Sequence, residues 1–207
     1  MASSAVVLVH GGLYEDVDSG TFWGRTGIGA GLQAAGYRVY APARPPTPRS
    51  WEEERDALVG AITSRTSGPV ALVAASNGCS VALRAAIDVP DLIEALVLCW
   101  PATAGNEEID ADVRQRIMAV VGGATADRLL AGQTIRGVLD EELETIGVLV
   151  TVVPSPDGDP FHRSETVASL RRLIPNVRIA EATPPAPRED FRHYRSRFIA
   201  GLAGVLG

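Results

Sequence analysis

A serine stands between an apolar run and a helix-like segment near the middle of the chain. Residues 70–75 (VALVAA) have the continuous hydrophobicity of a strand buried on both faces, and residues 77–87 have helical spacing. Ser76 separates the two, with the small residues Ala74 and Gly78 on either side. A tight strand-to-helix turn needs such neighbours, and it lifts the hydroxyl above the sheet edge beside a helix N-terminus. The pattern is typical of a catalytic nucleophile, although a serine here could also serve only as a helix N-cap.

A glycine-rich segment follows the first strand-like run, at residues 9–13 (VHGGL). Together with residues 74–78 (AASNG), it resembles the α/β-hydrolase superfamily, in which an HGG-type loop precedes a GxSxG elbow. Alanine replaces the first glycine of that elbow here. The resemblance implies that backbone N–H groups of Gly12, Leu13 and Asn77 form an oxyanion hole. His10 is interpreted as a structural residue beneath the loop.

A serine nucleophile needs a base to accept its proton and usually an acid to orient that base. In the superfamily the acid follows the strand after the lid, and the matching segment here is residues 154–162 (PSPDGDPFH). The resemblance implies that Asp159, which precedes a proline, is the acid. Asp157 lies two residues away and is the alternative.

The base departs from the superfamily pattern. The superfamily places its histidine after the last strand, but residues 182–188 (ATPPAPR) contain none. Of the three histidines in the chain, His162 lies in the loop that carries Asp159, at a cramped spacing of three residues. His193 falls on the outer side of the predicted last helix. We predict His162 as the base, with His193, or no catalytic histidine at all, as alternatives.

Two aromatic residues are predicted to line a substrate pocket. Tyr14 follows the glycine-rich segment in an acidic loop, and Trp100 lies just past the strand after the elbow. A solvated loop and a core tryptophan are the simpler alternatives. The scattered histidines lack the spacing of a metal site, so we predict neither a metal nor a cofactor.

Six short apolar runs rich in valine and leucine predict the strands that position these residues. They are residues 5–9, 37–41, 70–75, 93–98, 148–153 and 177–180. Segments with helical spacing separate most of them, at residues 22–35, 51–63, 77–87 and 164–173. This alternation predicts an α/β fold, with a doubly wound, mostly parallel sheet of about six strands flanked by helices.

One long connection, residues 102–146, interrupts the alternation with two or three short helices and no strand. We predict a helical lid insertion within a single α/β-hydrolase domain spanning residues 1–207. A structural helical pair packed on the sheet edge is the alternative. The apolar face of its first helix comprises Ile109, Val113, Ile117, Val120 and Val121. That of its last helix comprises Val138, Leu139, Leu143 and Ile146.

Composition narrows the classes of function. The 207 residues are 46% hydrophobic and 21% charged, as in soluble globular proteins. The net charge of −6, without a basic run, argues against a nucleic acid or membrane partner and favours a neutral small molecule. All 19 basic residues are arginine, which excludes a Schiff-base lysine and a P-loop lysine. Without a signal-peptide pattern we expect a cytoplasmic protein. The composition, rich in alanine and glycine with arginine as the only basic residue, suggests a bacterial source, and the sequence leaves a homodimer open.

These residues predict a cofactor-independent serine hydrolase that acts through an acyl-enzyme on an ester, thioester or lactone carbonyl of a small molecule. A non-hydrolytic lyase, isomerase or cyclase-like enzyme on the same fold is the alternative, favoured by the missing histidine. A catalytically silent homologue is the third hypothesis.

Overall fold

A single parallel sheet organises the chain, of which the computed structural model describes residues 5–207. Its six strands are ordered β2-β1-β3-β4-β5-β6, and every neighbouring pair is parallel. The predicted doubly wound α/β fold is therefore confirmed. The strands are β1 (Ala5–Val9), β2 (Arg38–Tyr40), β3 (Val70–Ser76), β4 (Ile93–Pro101), β5 (Leu149–Val153) and β6 (Val177–Ile179).

Eight α-helices within residues 5–207 connect the strands or extend from them. The helix predicted over residues 22–35 is divided, because Gly27 adopts a left-handed backbone with φ of 77° between a π-helical turn (Gly20–Gly24) and α1. A 3-10 turn (Glu189–His193) likewise precedes the last helix. The helices are α1 (Ile28–Ala34), α2 (Trp51–Thr63), α3 (Gly78–Asp88), α4 (Glu107–Val121), α5 (Gly123–Leu130), α6 (Asp140–Leu143), α7 (Ser164–Leu173) and α8 (Arg195–Leu206).

The sheet is covered on both faces, which explains why β3 reads as a continuous apolar run. Successive side chains of a strand point to opposite faces. Leu72 and Ala74 pack into the core cluster that contains residues of α2, α3 and α7, whereas Val73 and Ala75 pack into the cluster that contains residues of α1 and α8. Both faces therefore require apolar residues along the whole strand.

The connection between β4 and β5 holds three helices, α4, α5 and α6. Val113 and Ile117 of α4 are buried as predicted, and so are Leu143 and Ile146. Two residues assigned to the apolar faces are instead exposed, Val120 by 59% and Leu139 by 62%. The buried stripe is thus narrower than the sequence indicates.

Candidate active site

The turn between β3 and α3 has the geometry of a nucleophile elbow. Ser76 ends β3 with a φ of 51°, a left-handed conformation that is strained for a residue with a side chain. Gly78 begins α3 directly over the end of β1, where an added β-carbon would lie 2.5 Å from the His10 carbonyl oxygen and 2.7 Å from that of Val9. The elbow therefore depends on a glycine at this position.

We expect Gly78→Ala to lower the free energy of unfolding by roughly 2–3 kcal/mol, because backbone atoms at the end of β1 must move to accommodate the methyl group. Urea denaturation measures the change. Gly60→Ala is the matched control, since it lies in α2 with nothing within 4 Å of the added carbon, and alanine favours the helix. Equal stability of the two variants would show that the contact at Gly78 imposes no constraint.

Three of the predicted site residues form a hydrogen-bonded chain. The Ser76 Oγ atom lies 3.0 Å from Nε2 of His162, and Nδ1 of His162 lies 3.0 Å from Oδ2 of Asp159. With Nδ1 protonated, Nε2 presents a lone pair to the serine hydroxyl. The structure thus brings together the serine, histidine and aspartate in the order that nucleophile activation requires.

Local turns make the three-residue spacing of Asp159 and His162 workable. The Phe161 backbone N–H donates to Asp159 Oδ1 at 3.0 Å, which curls the chain back on itself. The segment just after β4 fixes the same loop, because Thr103 N–H donates to the Phe161 carbonyl at 2.9 Å and the Thr103 hydroxyl accepts from the Arg163 N–H at 2.9 Å. The spacing that looked cramped in the sequence is therefore compatible with a direct histidine–aspartate contact.

Asp159 is held as a carboxylate. Burial alone raises the pKa of this group, but the hydrogen bond and charge of His162 and the donors Ser155 and Phe161 together lower the pKa well below the ordinary value of 3.8. The Ser155 hydroxyl donates at 2.9 Å. An ionised acid can both orient the imidazole and stabilise its protonated form.

The depressed pKa of Asp159 predicts a pH-dependent contribution to stability. The unfolded chain takes up a proton near pH 3.8 whereas the folded chain does not, so the contribution is present above that pH and is lost as the pH falls toward the folded pKa. We expect the stability difference between wild type and Asp159→Asn to shrink as the pH is lowered from about 5 to 3. Urea denaturation at each pH measures it. Asp157→Asn, at an exposed turn, is the control. If the free energies of unfolding of wild type and Asp159→Asn ran parallel over this pH range, the depressed pKa of Asp159 would be contradicted.

The alternative acid and base lie elsewhere. His193 is exposed in the turn before α8, and Asp157 is exposed in the loop after β5. The hydrogen bonds of Ser76 and Asp159 reach His162 instead. The geometry consequently favours the primary predictions over both alternatives.

The glycine-rich loop lies against the elbow. An added β-carbon at Gly11 would lie 2.9 Å from Ser76 Cβ, so only glycine permits this approach. Gly12 adopts a φ of 83°, and Leu13 is buried. Asn77, the third residue predicted for the oxyanion hole, follows Ser76 directly and is also buried.

Arg44, which the sequence analysis missed and whose side chain is only 8% exposed, holds this loop from behind. Arg44 Nη1 donates to the carbonyl oxygens of His10, Gly11 and Gly12 at 2.7, 3.0 and 2.9 Å. In a trans peptide the N–H points opposite to the carbonyl, so the N–H groups of residues 11–13 point away from Arg44. Glu54 fixes the guanidinium with two hydrogen bonds of 2.8 and 2.6 Å, and its side chain is fully buried. Arg44 thereby orients the donors predicted for the oxyanion hole.

We expect Arg44→Met to cost about 3 kcal/mol of stability, because it leaves the Glu54 carboxylate buried and unpaired. It should also reduce the kcat/KM of the hydrolysis proposed below by roughly a hundredfold, through the loosened loop. The double variant Arg44→Met/Glu54→Leu separates the two effects: stability should largely return while activity stays low. Recovery of activity along with stability would show that Arg44 only supports the fold. Urea denaturation and initial rates provide the two measurements.

The insertion contacts the elbow through a second arginine, which is buried. Arg136 is 2% exposed, and its Nη1 donates to Asn77 Oδ1 at 2.8 Å while Nη2 pairs with Asp110 of α4 at 2.7 Å. The residue that follows Ser76 is thus tied to the predicted lid. Neither arginine has a local sequence signal, because each partner lies far away along the chain.

Tyr14 and Trp100 have different environments. Tyr14 lines a cavity of about 260 Å³ beside the glycine-rich loop, and its hydroxyl donates to the Pro48 carbonyl at 2.6 Å. Trp100 is 0% exposed, stacks on Phe198 at 5.3 Å and donates its Nε1–H to the Thr183 carbonyl at 2.7 Å. The prediction that Trp100 lines a pocket is therefore wrong. The indole fills the core because its ring and its donor both find partners there.

Residues 5–207 contain neither a cluster of metal ligands nor a membrane-spanning helix. Within that range no three histidine, cysteine or acidic side chains gather as metal ligands. Over the same residues no helix is both long and apolar enough to cross a membrane.

Comparison with known proteins places this geometry in a family. The model of the "Alpha/beta hydrolase family" matches residues 6–204. None of the curated proteins compared with the sequence matches it.

Solved structures share the fold at low sequence identity. A meta-cleavage product hydrolase from Pseudomonas fluorescens is 16% identical with a TM-score of 0.70, covering 98% of this chain and 92% of its own. MGS-MChE2, an alpha/beta hydrolase enzyme from a lagoon-sediment metagenome of Mar Chica, Morocco, is 17% identical with a TM-score of 0.72, covering 98% and 90%. The thioesterase domain from the curacin biosynthetic pathway is 18% identical with a TM-score of 0.67, covering 99% and 91%. The sheet order, the elbow and the family match across nearly the whole length together show that this chain belongs to the alpha/beta hydrolase family.

Proposed function

We propose that the protein is a serine hydrolase that cleaves an ester, thioester or lactone carbonyl of a small molecule through an acyl-enzyme. The observation that carries the proposal is the chain of hydrogen bonds from Ser76 through His162 to Asp159. A strained elbow that holds the half-buried serine at the sheet edge supports it.

In the first half of the reaction Ser76 Oγ attacks the carbonyl carbon while His162 Nε2 accepts the hydroxyl proton. Asp159 keeps the imidazole oriented and stabilises its positive charge. Backbone N–H groups of Leu13 and Asn77 hold the oxyanion that develops on the carbonyl oxygen. Collapse of the tetrahedral intermediate breaks the bond to the alcohol or thiol, which leaves with the proton from His162.

In the second half water attacks the acyl group on Ser76. His162 accepts a proton from that water, and a second tetrahedral intermediate forms. Its collapse returns the proton to Ser76 Oγ and releases the carboxylic acid. No cofactor or metal enters either half, because all proton transfers use His162.

The names of the similar structures support hydrolysis but do not select a substrate. One is a meta-cleavage product hydrolase and another a thioesterase domain. The non-hydrolytic alternative was favoured by the histidine missing from the last loop. That argument weakens because His162 contacts Ser76 from another loop.

A fluorophosphonate probe with peptide mapping tests the proposal. We expect covalent labelling of Ser76 in the wild type, and turnover of at least one chain length in a series of p-nitrophenyl esters and acyl thioesters. Absence of both labelling and turnover would contradict a serine hydrolase. Ester or thioester turnover without labelling of Ser76 would contradict the acyl-enzyme and point to direct attack of water on the carbonyl.

A further inference from the structure

A cavity lined by arginines lies between the π-helical turn before α1 and the segment, residues 186–195, that leads into α8. Its volume is about 490 Å³. Its charged lining residues are Arg25, Arg188, Arg192, Arg195 and Glu189. This is a local excess of positive charge in a chain whose net charge is −6. We call it the arginine cavity.

Three of the four arginines have no acidic partner within 4 Å among residues 5–207. Only Arg188 forms ion pairs, at 3.4 Å to Asp159 and 3.5 Å to Asp190. The other three share the cavity with one carboxylate, that of Glu189, which leaves an excess of two positive charges. Like charges that converge without a counter-ion repel one another and destabilise the folded chain. The arrangement therefore points to an anion that the chain itself does not supply.

The fold brings these arginines together from separate segments. Arg25 follows the π-helical turn, whereas Arg195 begins α8. The Arg195 side chain reaches across to the start of α1, because an added β-carbon at Gly27 would lie 3.5 Å from its Nη1 and 3.6 Å from its Cδ. The N-terminus of α8 carries a partial positive charge, and neither an acidic residue in its first turn nor the Tyr194 side chain offsets it. All four arginines are exposed, so a solute can reach them.

We propose that the arginine cavity binds a small organic phosphate monoester. A phosphate monoester carries nearly two negative charges at neutral pH, which matches the excess in the cavity, whereas a carboxylate carries one. Arginine also presents a planar fork of donors that fits phosphate oxygens. Ligand cavities typically span roughly 300–1,000 Å³, so a volume of about 490 Å³ has room for an organic group beside the phosphate. The site is independent of the proposed hydrolysis, since none of Ser76, His162 and Asp159 lines it.

A matched pair of ligands tests the charge. Phenyl phosphate and phenyl sulfate have nearly the same shape, but the sulfate carries only one negative charge. Kd values come from titrations at neutral pH and low salt followed by two-dimensional amide NMR. We expect phenyl phosphate to bind with a Kd below about 1 mM, and both phenyl sulfate and inorganic phosphate to bind at least about fivefold more weakly. Equal Kd values for the two esters, equally tight binding of inorganic phosphate, or no saturation by about 10 mM phenyl phosphate each overturn the proposal.

Arginine variants test the location. Arg192→Gln and Arg195→Gln should each raise the Kd of phenyl phosphate about fivefold, because each removes a charged donor from an exposed site. Arg172→Gln is the matched control: it removes the same charge from an exposed position of α7 outside the cavity, and should change the Kd less than about twofold. Ser76→Ala should bind as the wild type does, and amide shifts should cluster at residues 21–26 and 186–195. Equal Kd values for the cavity and control variants, shifts centred elsewhere, or loss of binding in Ser76→Ala each overturn the site.

Discussion

The Ser76→Ala variant should lose at least about a thousandfold in kcat/KM on any ester or thioester that the wild type hydrolyses. The serine oxygen forms the bond to the acyl group, and no other hydroxyl group contacts His162 Nε2 among residues 5–207. The remaining rate would come from the oxyanion donors and from substrate binding. Initial rates with the best substrate of the p-nitrophenyl and thioester series measure the loss.

A nearby serine supplies the control for that experiment. Ser80 is buried one helical turn further along α3 and is not part of the hydrogen-bonded chain to Asp159. Ser80→Ala should therefore keep activity within a few fold of wild type. Urea denaturation checks that both variants are folded. If Ser76→Ala kept activity within about tenfold of wild type, the acyl-enzyme mechanism would be wrong.

Local steric rules made the elbow predictable from the sequence. Ser76 needs a strand before it and a helix after it, and Gly78 must be small because carbonyl oxygens of β1 lie within 3 Å of an added carbon. Such demands act over a few residues, so they leave a pattern in adjacent positions. The alternation of apolar runs and helical segments predicted the sheet for the same reason: each strand is buried on both faces.

Long-range pairing was not predictable from the sequence. Arg44 reaches the glycine-rich loop from 32 to 34 positions away, and Arg136 reaches Asn77 across 59 positions. Neither arginine differs by any local pattern from exposed arginines. Glu54 alone carries a weak signal of a buried ion pair, because it is the only acidic residue among the buried positions of α2.

Trp100 and His162 show the limits of spacing arguments. An apolar run that ends in tryptophan fits a core or a pocket equally, and only the packing of Phe191 and Phe198 decides for the core. Sequence spacing alone makes the three-residue separation of His162 and Asp159 unfavourable. It takes no account of the turn that the Phe161 N–H closes by donating to Asp159. In both cases contacts outside the segment determine the outcome.

His162→Ala should lose activity comparably to Ser76→Ala, by at least about a thousandfold, whereas His193→Ala should stay within a few fold of wild type. His162 Nε2 is 3.0 Å from the serine oxygen, and without it no base accepts the proton during attack. His193 is exposed in the turn before α8 and makes a matched histidine control. Initial rates on the same substrate compare the two variants, and denaturation confirms that both fold.

Chemical rescue separates a proton-transfer role of His162 from a packing role. The alanine substitution leaves space beside Ser76, and added imidazole can enter that space and accept the proton from solution. We expect imidazole to restore part of the rate of His162→Ala and none of the rate of Ser76→Ala, because the second variant lacks the nucleophile. Rescue should follow the fraction of neutral imidazole as the pH rises, since only that form accepts a proton. Full activity in His162→Ala together with a large loss in His193→Ala would identify His193, in the turn before α8, as the base and overturn the assignment of His162.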